Sequence, residues 1–297
     1  MRVLILGCGY TGTTLARWLT QQGIPVAVTN RLGQLPPELG DLQIPCYPLA
    51  SQAQGEVTPL DPAALDAVTH VLSSIPPLSS GQDLVLGQLL PVLQGLNLGW
   101  FGYLSTTGVY GDCQGAWVEE TRPVNPQNAR SSHRVQAEVG FLDSGLPAHI
   151  FRLSGIYGPG PGRNIFERLR SGKAQHIIRP GHVFSRVHVD DIVQALWRSM
   201  INPRPGNIYN VADDLPTESS NLILQACSLM GIEPPPAILW EEANLSPMAT
   251  SFWQESRRVS NFKIKSQLGV ELFFPTYKEG LLSIYKCLSN RESHLIQ

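Results

Sequence analysis

The hexapeptide Gly7-Cys8-Gly9-Tyr10-Thr11-Gly12 stands between the apolar run Val3-Leu4-Ile5-Leu6 and an amphipathic stretch over residues 13–22. Glycines in this spacing can seat a dinucleotide. The first permits a tight turn, the second lets backbone approach a pyrophosphate, and the third brings helix close against strand. A helix opening here adds unpaired N–H groups and a partial positive charge, both complementary to phosphate. About 20 residues further on, an acidic side chain would bind the ribose hydroxyls of NAD. This chain has Thr29-Asn30-Arg31 at that place, and no Asp or Glu between Gly12 and Glu38. A guanidinium there forms a charge-assisted pair with a 2′-phosphate. The expected cofactor is therefore NADP, with NAD the alternative if Arg31 is only a solvated charge. Gly7, Gly9, Tyr10, Thr11, Gly12, Asn30 and Arg31, with Ser74 at the end of the run 70–74, make up the expected cofactor-binding set.

The elements that position these residues alternate along the chain. Strand-like runs at 3–6, 25–29, 42–47, 70–74, 100–104 and 149–153 are separated by helical patterns at 15–22, 84–93 and 131–141. Runs such as Val3-Leu4-Ile5-Leu6 are apolar at every position, as strands covered by helices on both faces require. The first half thus reads as a doubly wound α/β domain with a parallel sheet. A further helix is expected over 191–200, a strand over 208–211 and a helix over 219–230, followed by a proline-rich connection at 233–236. Beyond about residue 213 the alternation stops, and a smaller substrate or lid domain is expected over 213–297. Residues 1–212 form the nucleotide-binding domain in this division, with 155–180 as an insertion at the cleft.

Composition narrows the partners. The chain of 297 residues has 22 Lys+Arg against 24 Asp+Glu, a net charge of −2, and 15% charged residues against the ~25% usual in soluble chains. So balanced a surface has no long-range field to gather nucleic acid or anionic lipid, so the expected partner is a small-molecule substrate. The 5 cysteines are scattered, form no C-x-x-C and suggest neither a disulfide framework nor a metal site, which fits a reducing, cytoplasmic setting. The uncharged stretch 84–111 is interrupted by Gln88, Pro91, Gln94, Gly95, Asn97 and Gly99, so no membrane span is expected.

Further segments now join the glycine turn. Leu104-Ser105-Thr106-Thr107-Gly108-Val109-Tyr110-Gly111, Glu120-Thr121-Arg122-Pro123, Arg152-Leu153-Ser154-Gly155-Ile156-Tyr157-Gly158-Pro159, Val187-His188-Val189-Asp190-Asp191 and Gly206-Asn207-Ile208-Tyr209-Asn210-Val211 follow in order. The ordered set resembles the extended short-chain dehydrogenases/reductases, the NAD-dependent epimerase/dehydratase family. The tail around Arg257-Arg258-Val259-Ser260-Asn261 resembles an atypical branch of it. The resemblance implies a Rossmann domain, a C-terminal substrate domain with the active cleft between them, hydride transfer to or from a nicotinamide, and a homodimer formed through a four-helix bundle. It further implies a hydroxyl at Thr106 that orients the reacting oxygen, and a tyrosine acid/base with a lysine four residues later.

Counting back from Glu138, the tyrosine place falls on Arg130 and the lysine place on Arg134, and no Tyr-x-x-x-Lys occurs anywhere in the chain. Arginine stays protonated at neutral pH, so Arg130 cannot act as a phenol does, although it can clamp a phosphate or carboxylate. Arg134 could contact the nicotinamide ribose from the lysine's place. His133, Tyr110, Tyr157 and His188 are the other candidates to move a proton, with His133 favoured because an imidazole's unperturbed pKa near ~6.5 suits acid/base work and because it shares a helix with Arg130 and Arg134. The expected catalytic set is Thr106, Arg130, Arg134 and His133. Tyr110, Tyr157 and Arg186 are the expected substrate contacts, packing being the competing role for both tyrosines. Asp190 or Asp191 is expected to cap the helix that follows. Gly158-Pro159-Gly160-Pro161-Gly162 is either a turn-rich hinge or a lip over the substrate, and Trp253, Glu255, Arg257 and Arg258 are expected to pack within the lid. Thr107-Gly108 stand where sugar 4,6-dehydratases carry an Asp-Glu pair, which argues against that reaction. The function expected is an epimerase/dehydratase-like oxidoreductase with a non-standard acid/base, acting on a small phosphorylated or sugar-nucleotide-like substrate. The alternative is a nucleotide-binding sensor or assembly factor that has lost turnover.

Overall fold

The computed structural model describes residues 1–50, 59–160 and 162–294. Seven parallel strands form the central sheet: β1 (Val3–Leu6), β2 (Val26–Asn30), β3 (Cys46–Pro48), β4 (His70–Ser73), β5 (Trp100–Thr106), β6 (Ala148–Leu153) and β7 (Asn207–Val211). Their order in space is β7-β6-β5-β4-β1-β2-β3. The direction of winding reverses between β1 and β4, which pair in register from Val3 with His70 to Leu6 with Ser73. In open α/β sheets, ligands bind beyond the carboxyl ends of the strands flanking such a reversal. Here those ends lead into Gly7 and Ser74.

Every residue of β1, β4 and β6 is buried; this accounts for the unbroken apolar sequence of β1, while β4 and β6 also bury His70, Ser73, His149 and Arg152. The period of two still shows in what each residue faces. Val3 and Ile5 join one core layer with Leu15, Leu19, Ile192 and Leu196, while Leu4 and Leu6 join the opposite layer with Val71, Phe101 and Phe141. Each such fully buried side chain contributes about 1.5–3 kcal/mol.

The main helices are α1 (Tyr10–Gln21), α2 (Ala129–Leu142), α3 (Val189–Ile201), α4 (Ser219–Met230) and α5 (Tyr277–His294). Asn128 caps α2, its Oδ1 accepting from the Ser131 N–H at 2.9 Å. The helix expected over 84–93 departs from regular form. It opens as a wide π turn over Val85–Leu89 and continues as Leu90–Gln94. Pro91 is the reason: it has no N–H to give to the preceding turn, and its ring crowds the carbonyl four residues back.

The C-terminal residues divide their packing. Helix Ile165–Arg170 joins α4 and α5 in a small core of its own, through Phe166, Leu169, Ile223, Ala226, Leu281 and Ile284. Helix Phe262–Leu268 instead returns to the sheet, where Ile264, Leu268 and Val270 enter the core layer of Val3 and Ile5. The short strand Arg258–Val259 pairs with Trp117–Val118. Among the described residues no helix is long and apolar enough to cross a membrane, and no group of His, Cys, Asp and Glu is arranged to hold a metal ion.

Candidate functional site

The glycine turn has the geometry that its spacing demands. Gly7 adopts φ +88°, and a Cβ there would lie 2.7 Å from Ile75 Cγ1. A Cβ on Gly12 would lie 2.9 Å from the carbonyl oxygen of Gly7 and 3.2 Å from Ile5 Cγ2, so only glycine lets α1 sit this close to β1. At Gly9 a Cβ would meet nothing within 4 Å. The middle glycine thus faces open space, where a phosphate has room to approach backbone. The turn is held from below: the Gly7 N–H donates to Thr29 Oγ1 at 3.0 Å, the Cys8 N–H donates to the Thr29 carbonyl at 2.6 Å, and the Ser74 hydroxyl donates to the Gly7 carbonyl. The start of α1 carries no side-chain cap and no acidic residue in its first turn, which leaves its amides for an anion.

Other members of the expected cofactor set behave differently from one another. Thr11 is buried in the first turn of α1. Tyr10 reaches away from the turn, its hydroxyl donating to the Pro159 carbonyl at 2.8 Å. Asn30 is engaged locally. Its amide nitrogen donates to the Gln34 carbonyl and its Oδ1 accepts from the N–H groups of Leu32 and Gln34, so the side chain builds the turn after β2. Arg31 is exposed beyond β2 and forms no ion pair among the described residues.

A cavity of about 330 Å³ opens beyond the carboxyl ends of β5 and β6. Thr106, Tyr157 and Arg186, which the sequence reading placed at substrate, all line it, as do Thr107 and Ser154. Thr106 Oγ1 accepts from the Gly108 N–H at 3.1 Å, which leaves the hydroxyl proton free to donate. The Tyr157 hydroxyl is buried with no hydrogen-bond partner among the described residues, and burial pushes its pKa well up. Arg186 donates from Nη1 to the carbonyls of Phe184 and Thr217, both at 3.1 Å. Of the glycine-proline lip, Gly162 lines the cavity and Pro161 lies outside the described residues.

The remaining candidates lie elsewhere. Tyr110 is 1% exposed and belongs to a buried network, its hydroxyl donating to Asn210 Oδ1 at 2.8 Å and accepting from Arg152 Nη1 at 2.9 Å. It is a packing residue rather than a substrate contact. The network continues into an ion pair of Arg152 Nη2 with Glu138 Oε2 at 2.7 Å, both side chains buried, and the Ser105 hydroxyl donates to Glu138 Oε1 at 2.5 Å. Arg134 donates from Nη1 to the Tyr103 hydroxyl at 3.0 Å and to the Leu104 carbonyl at 2.5 Å, which pins α2 to β5. The His133 ring packs on Gly81 in the loop after β4, away from the cavity lining. Arg130 stands over the Phe252 ring, 4.6 Å from its centroid, and Phe252 in turn lines the cavity.

The segment from Phe252 to Arg257 was missed as a site element, because only tertiary folding carries it to the cleft. Glu255 and Arg257 line the cavity instead of packing within a lid. Glu255 accepts from Asn128 Nδ2 at 3.1 Å and pairs with Arg257 Nη1 at 2.7 Å. Trp253, by contrast, stacks with Trp240 and His182. The cap of α3 also differs from expectation. It is His188, whose Nδ1 accepts from the Asp190 N–H at 3.3 Å, whereas Asp191 accepts from the N–H groups of Phe273 and Phe274 at 2.6 and 3.2 Å and so tethers the C-terminal chain.

Burial sets opposing pH dependences here. His149, His182 and His188 are lowered to about 4 by desolvation. Desolvation raises Asp191 to about 6 and Asp213 to about 7. The histidines contribute stability that is present above ~6.5 and lost as pH falls towards 4. The aspartates act oppositely, their contribution being present below ~3.9 and lost as pH rises through 6 and 7. Near pH 5 the unfolded chain binds about three more protons through the histidines and the folded chain about two more through the aspartates. Asp213→Asn removes one of the opposing groups, so the unfolding free energy from urea denaturation at pH 4.5 to 5.5 should rise with pH more steeply than in the wild type, by about 1 kcal/mol per pH unit; an unchanged slope would mean that Asp213 does not take up a proton on folding.

A parallel sheet wound in this order, with a glycine turn between β1 and α1, is a Rossmann-type nucleotide-binding architecture. More narrowly, the chain belongs to the NAD dependent epimerase/dehydratase family, whose model matches residues 3–212. It is 34% identical over 138 residues to Protein YeeZ of Escherichia coli (strain K12), a match covering 45% of this chain and 47% of YeeZ. The chain thus spans about half the length of the curated relatives it matches. Among solved structures, a functionally unknown conserved protein from Silicibacter pomeroyi DSS is 41% identical, with 97% of this chain and 99% of that one covered and a TM-score of 0.83. A dTDP-glucose 4,6-dehydratase from Bacillus anthracis str. Ames, solved in complex with NAD, is 18% identical, with 99% and 98% covered and a TM-score of 0.76. At that identity the likeness is one of fold.

Proposed function

We propose that the protein is an NADP-dependent oxidoreductase of epimerase-like chemistry, acting on a small substrate in the cavity beside Thr106 without a tyrosine acid/base. The observation that carries this reading is the placement of Thr106, with its donor proton free, in a cavity at the carboxyl ends of β5 and β6, on the same edge of the sheet as the open glycine turn. The turn fits a dinucleotide because Gly9 faces free space while Gly7 and Gly12 are packed. Gly7, Gly9, Gly12 and the first amides of α1 would hold the pyrophosphate, and Arg31 the 2′-phosphate. NADP, when bound, supplies hydride transfer. Thr106 orients the substrate oxygen, and Arg130, always charged, offers a fixed positive charge rather than a proton.

Affinities for NADPH and NADH, measured with the purified protein, test the cofactor. NADPH should bind more tightly, and Arg31→Asp should lower that preference at least tenfold by removing the charge-assisted pair and adding repulsion. If the two affinities keep their ratio, Arg31 does not read the phosphate. Turnover is tested by following NADPH absorbance across a panel of carbonyl compounds.

One observation favours a second reading, a nucleotide-binding sensor without turnover. The guanidinium at the lysine's place, Arg134, is engaged by the Tyr103 hydroxyl and the Leu104 carbonyl. That reading expects NADPH to bind and not be consumed; steady turnover of any substrate rejects it.

A further inference from the structure

Three arginines reach the cavity without a carboxylate partner. Arg163 and Arg168 are exposed at its mouth, and Arg186 forms part of its wall while only 8% exposed. None of them forms an ion pair among the described residues. Arg257, which also lines the cavity, is neutralised by Glu255 at 2.7 Å. The uncompensated charge therefore belongs to the other three.

Arg186 is the built part of the site. A guanidinium cannot shed its proton at neutral pH, so a buried one needs an anion or a set of acceptors. Arg186 has only the Phe184 and Thr217 carbonyls, both on Nη1, and its Nε and Nη2 donate to no described residue. Asp213 lies near it but outside ion-pair distance, and burial raises the Asp213 carboxyl to about 7, which weakens it as a counter-charge. At the mouth, Arg163 is steadied by the Tyr10 ring, 5.7 Å from its centroid.

Size narrows the ligand. The cavity's 330 Å³ falls at the low end of the ~300–1,000 Å³ usual for small-molecule sites. A volume at that end of the range suits a compact molecule.

We infer that the cleft takes a compact organic dianion, a phosphomonoester or a dicarboxylate, gripped by Arg186 from the wall and by Arg163 and Arg168 at the mouth. Forked guanidinium donors match both headgroups, and several guanidiniums on one ligand call for more than a single negative charge. The inference rests on reading the cavity as the substrate cleft, and not on turnover.

The test is calorimetric titration of the full chain, with and without NADPH, using glycerol 3-phosphate, succinate and UDP-glucose. Saturable binding of glycerol 3-phosphate or succinate is expected, the tighter of the two identifying the headgroup. The Arg163→Gln and Arg168→Gln double variant should weaken it at least tenfold. Arg186→Lys, which keeps the charge and loses the fork, should also weaken it, with thermal melting used to verify folding; the exposed double variant carries the test if Arg186→Lys does not fold. Failure of both dianions to saturate, indifference to the arginine replacements, or tighter binding of UDP-glucose than of either would overturn the inference. The cofactor reading fails separately: a dianion that binds a protein unable to bind NADPH leaves the inference standing and removes that reading.

Discussion

Glu138→Ala should lower the unfolding free energy by about 3–5 kcal/mol, the usual result of taking one partner from a buried ion pair. The pair it breaks, Arg152 with Glu138, lies beneath β5 and β6, with side-chain exposures of 5% and 3%. Glu138 receives Arg152 through Nε and Nη2 as well as the Ser105 hydroxyl, and Arg152 passes on to Tyr110. Removing the carboxylate leaves Arg152 charged, since it cannot neutralise, with neither water nor a counter-ion to replace what it lost. Urea denaturation measures the effect, and a loss below about 1 kcal/mol would mean that solvent reaches Arg152. Combining Glu138→Leu with Arg152→Met should be milder than either single change, because paired apolar replacement removes the desolvation cost together with the attraction.

Gly9→Val should reduce NADPH affinity by at least 100-fold while leaving the melting temperature nearly unchanged. The two halves of that result have separate causes. Gly9 has φ −89° and ψ −163°, an extended conformation that valine adopts readily, and its Cβ would point into open space, so the protein without cofactor tolerates it. The same branched side chain would occupy the space through which a pyrophosphate approaches the amides of α1. Gly7→Val should behave in the opposite manner, unfolding at lower temperature through its positive φ and the 2.7 Å approach to Ile75. Measuring melting and NADPH titration on both variants tells a binding role from a folding one. Unchanged NADPH affinity in Gly9→Val would place the pyrophosphate elsewhere.

Much of the fold was legible because burial on both faces leaves its mark on single strands. Val3–Leu6 and the helix Ser219–Met230 fall where the pattern puts them, and β5 only runs two residues longer than expected. The turn was legible too, since Gly7 and Gly12 answer to local steric demands and the spacing between them sets Gly9 in the open. What could not be read were partners distant in the chain. Tyr110 looks like a cleft residue until Asn210 and Arg152, on neighbouring strands, take its hydroxyl. Glu255 and Arg257 reach the cavity through a path of chain whose pattern says nothing of where it docks.

The return of helix Phe262–Leu268 to the sheet has a consequence for synthesis. The family's signature stretches end by residue 212, yet the core layer that holds Val3, Ile5 and Leu15 is also built from Ile264, Leu268 and Val270. Asp191 in α3 waits for the amides of Phe273 and Phe274, and Trp117–Val118 for the strand Arg258–Val259. A chain emerging from the ribosome therefore presents an unfinished apolar layer while α4 and the proline-rich connection are being made. The apolar layer under the nucleotide turn is complete only once residues out to 274 have folded back onto it.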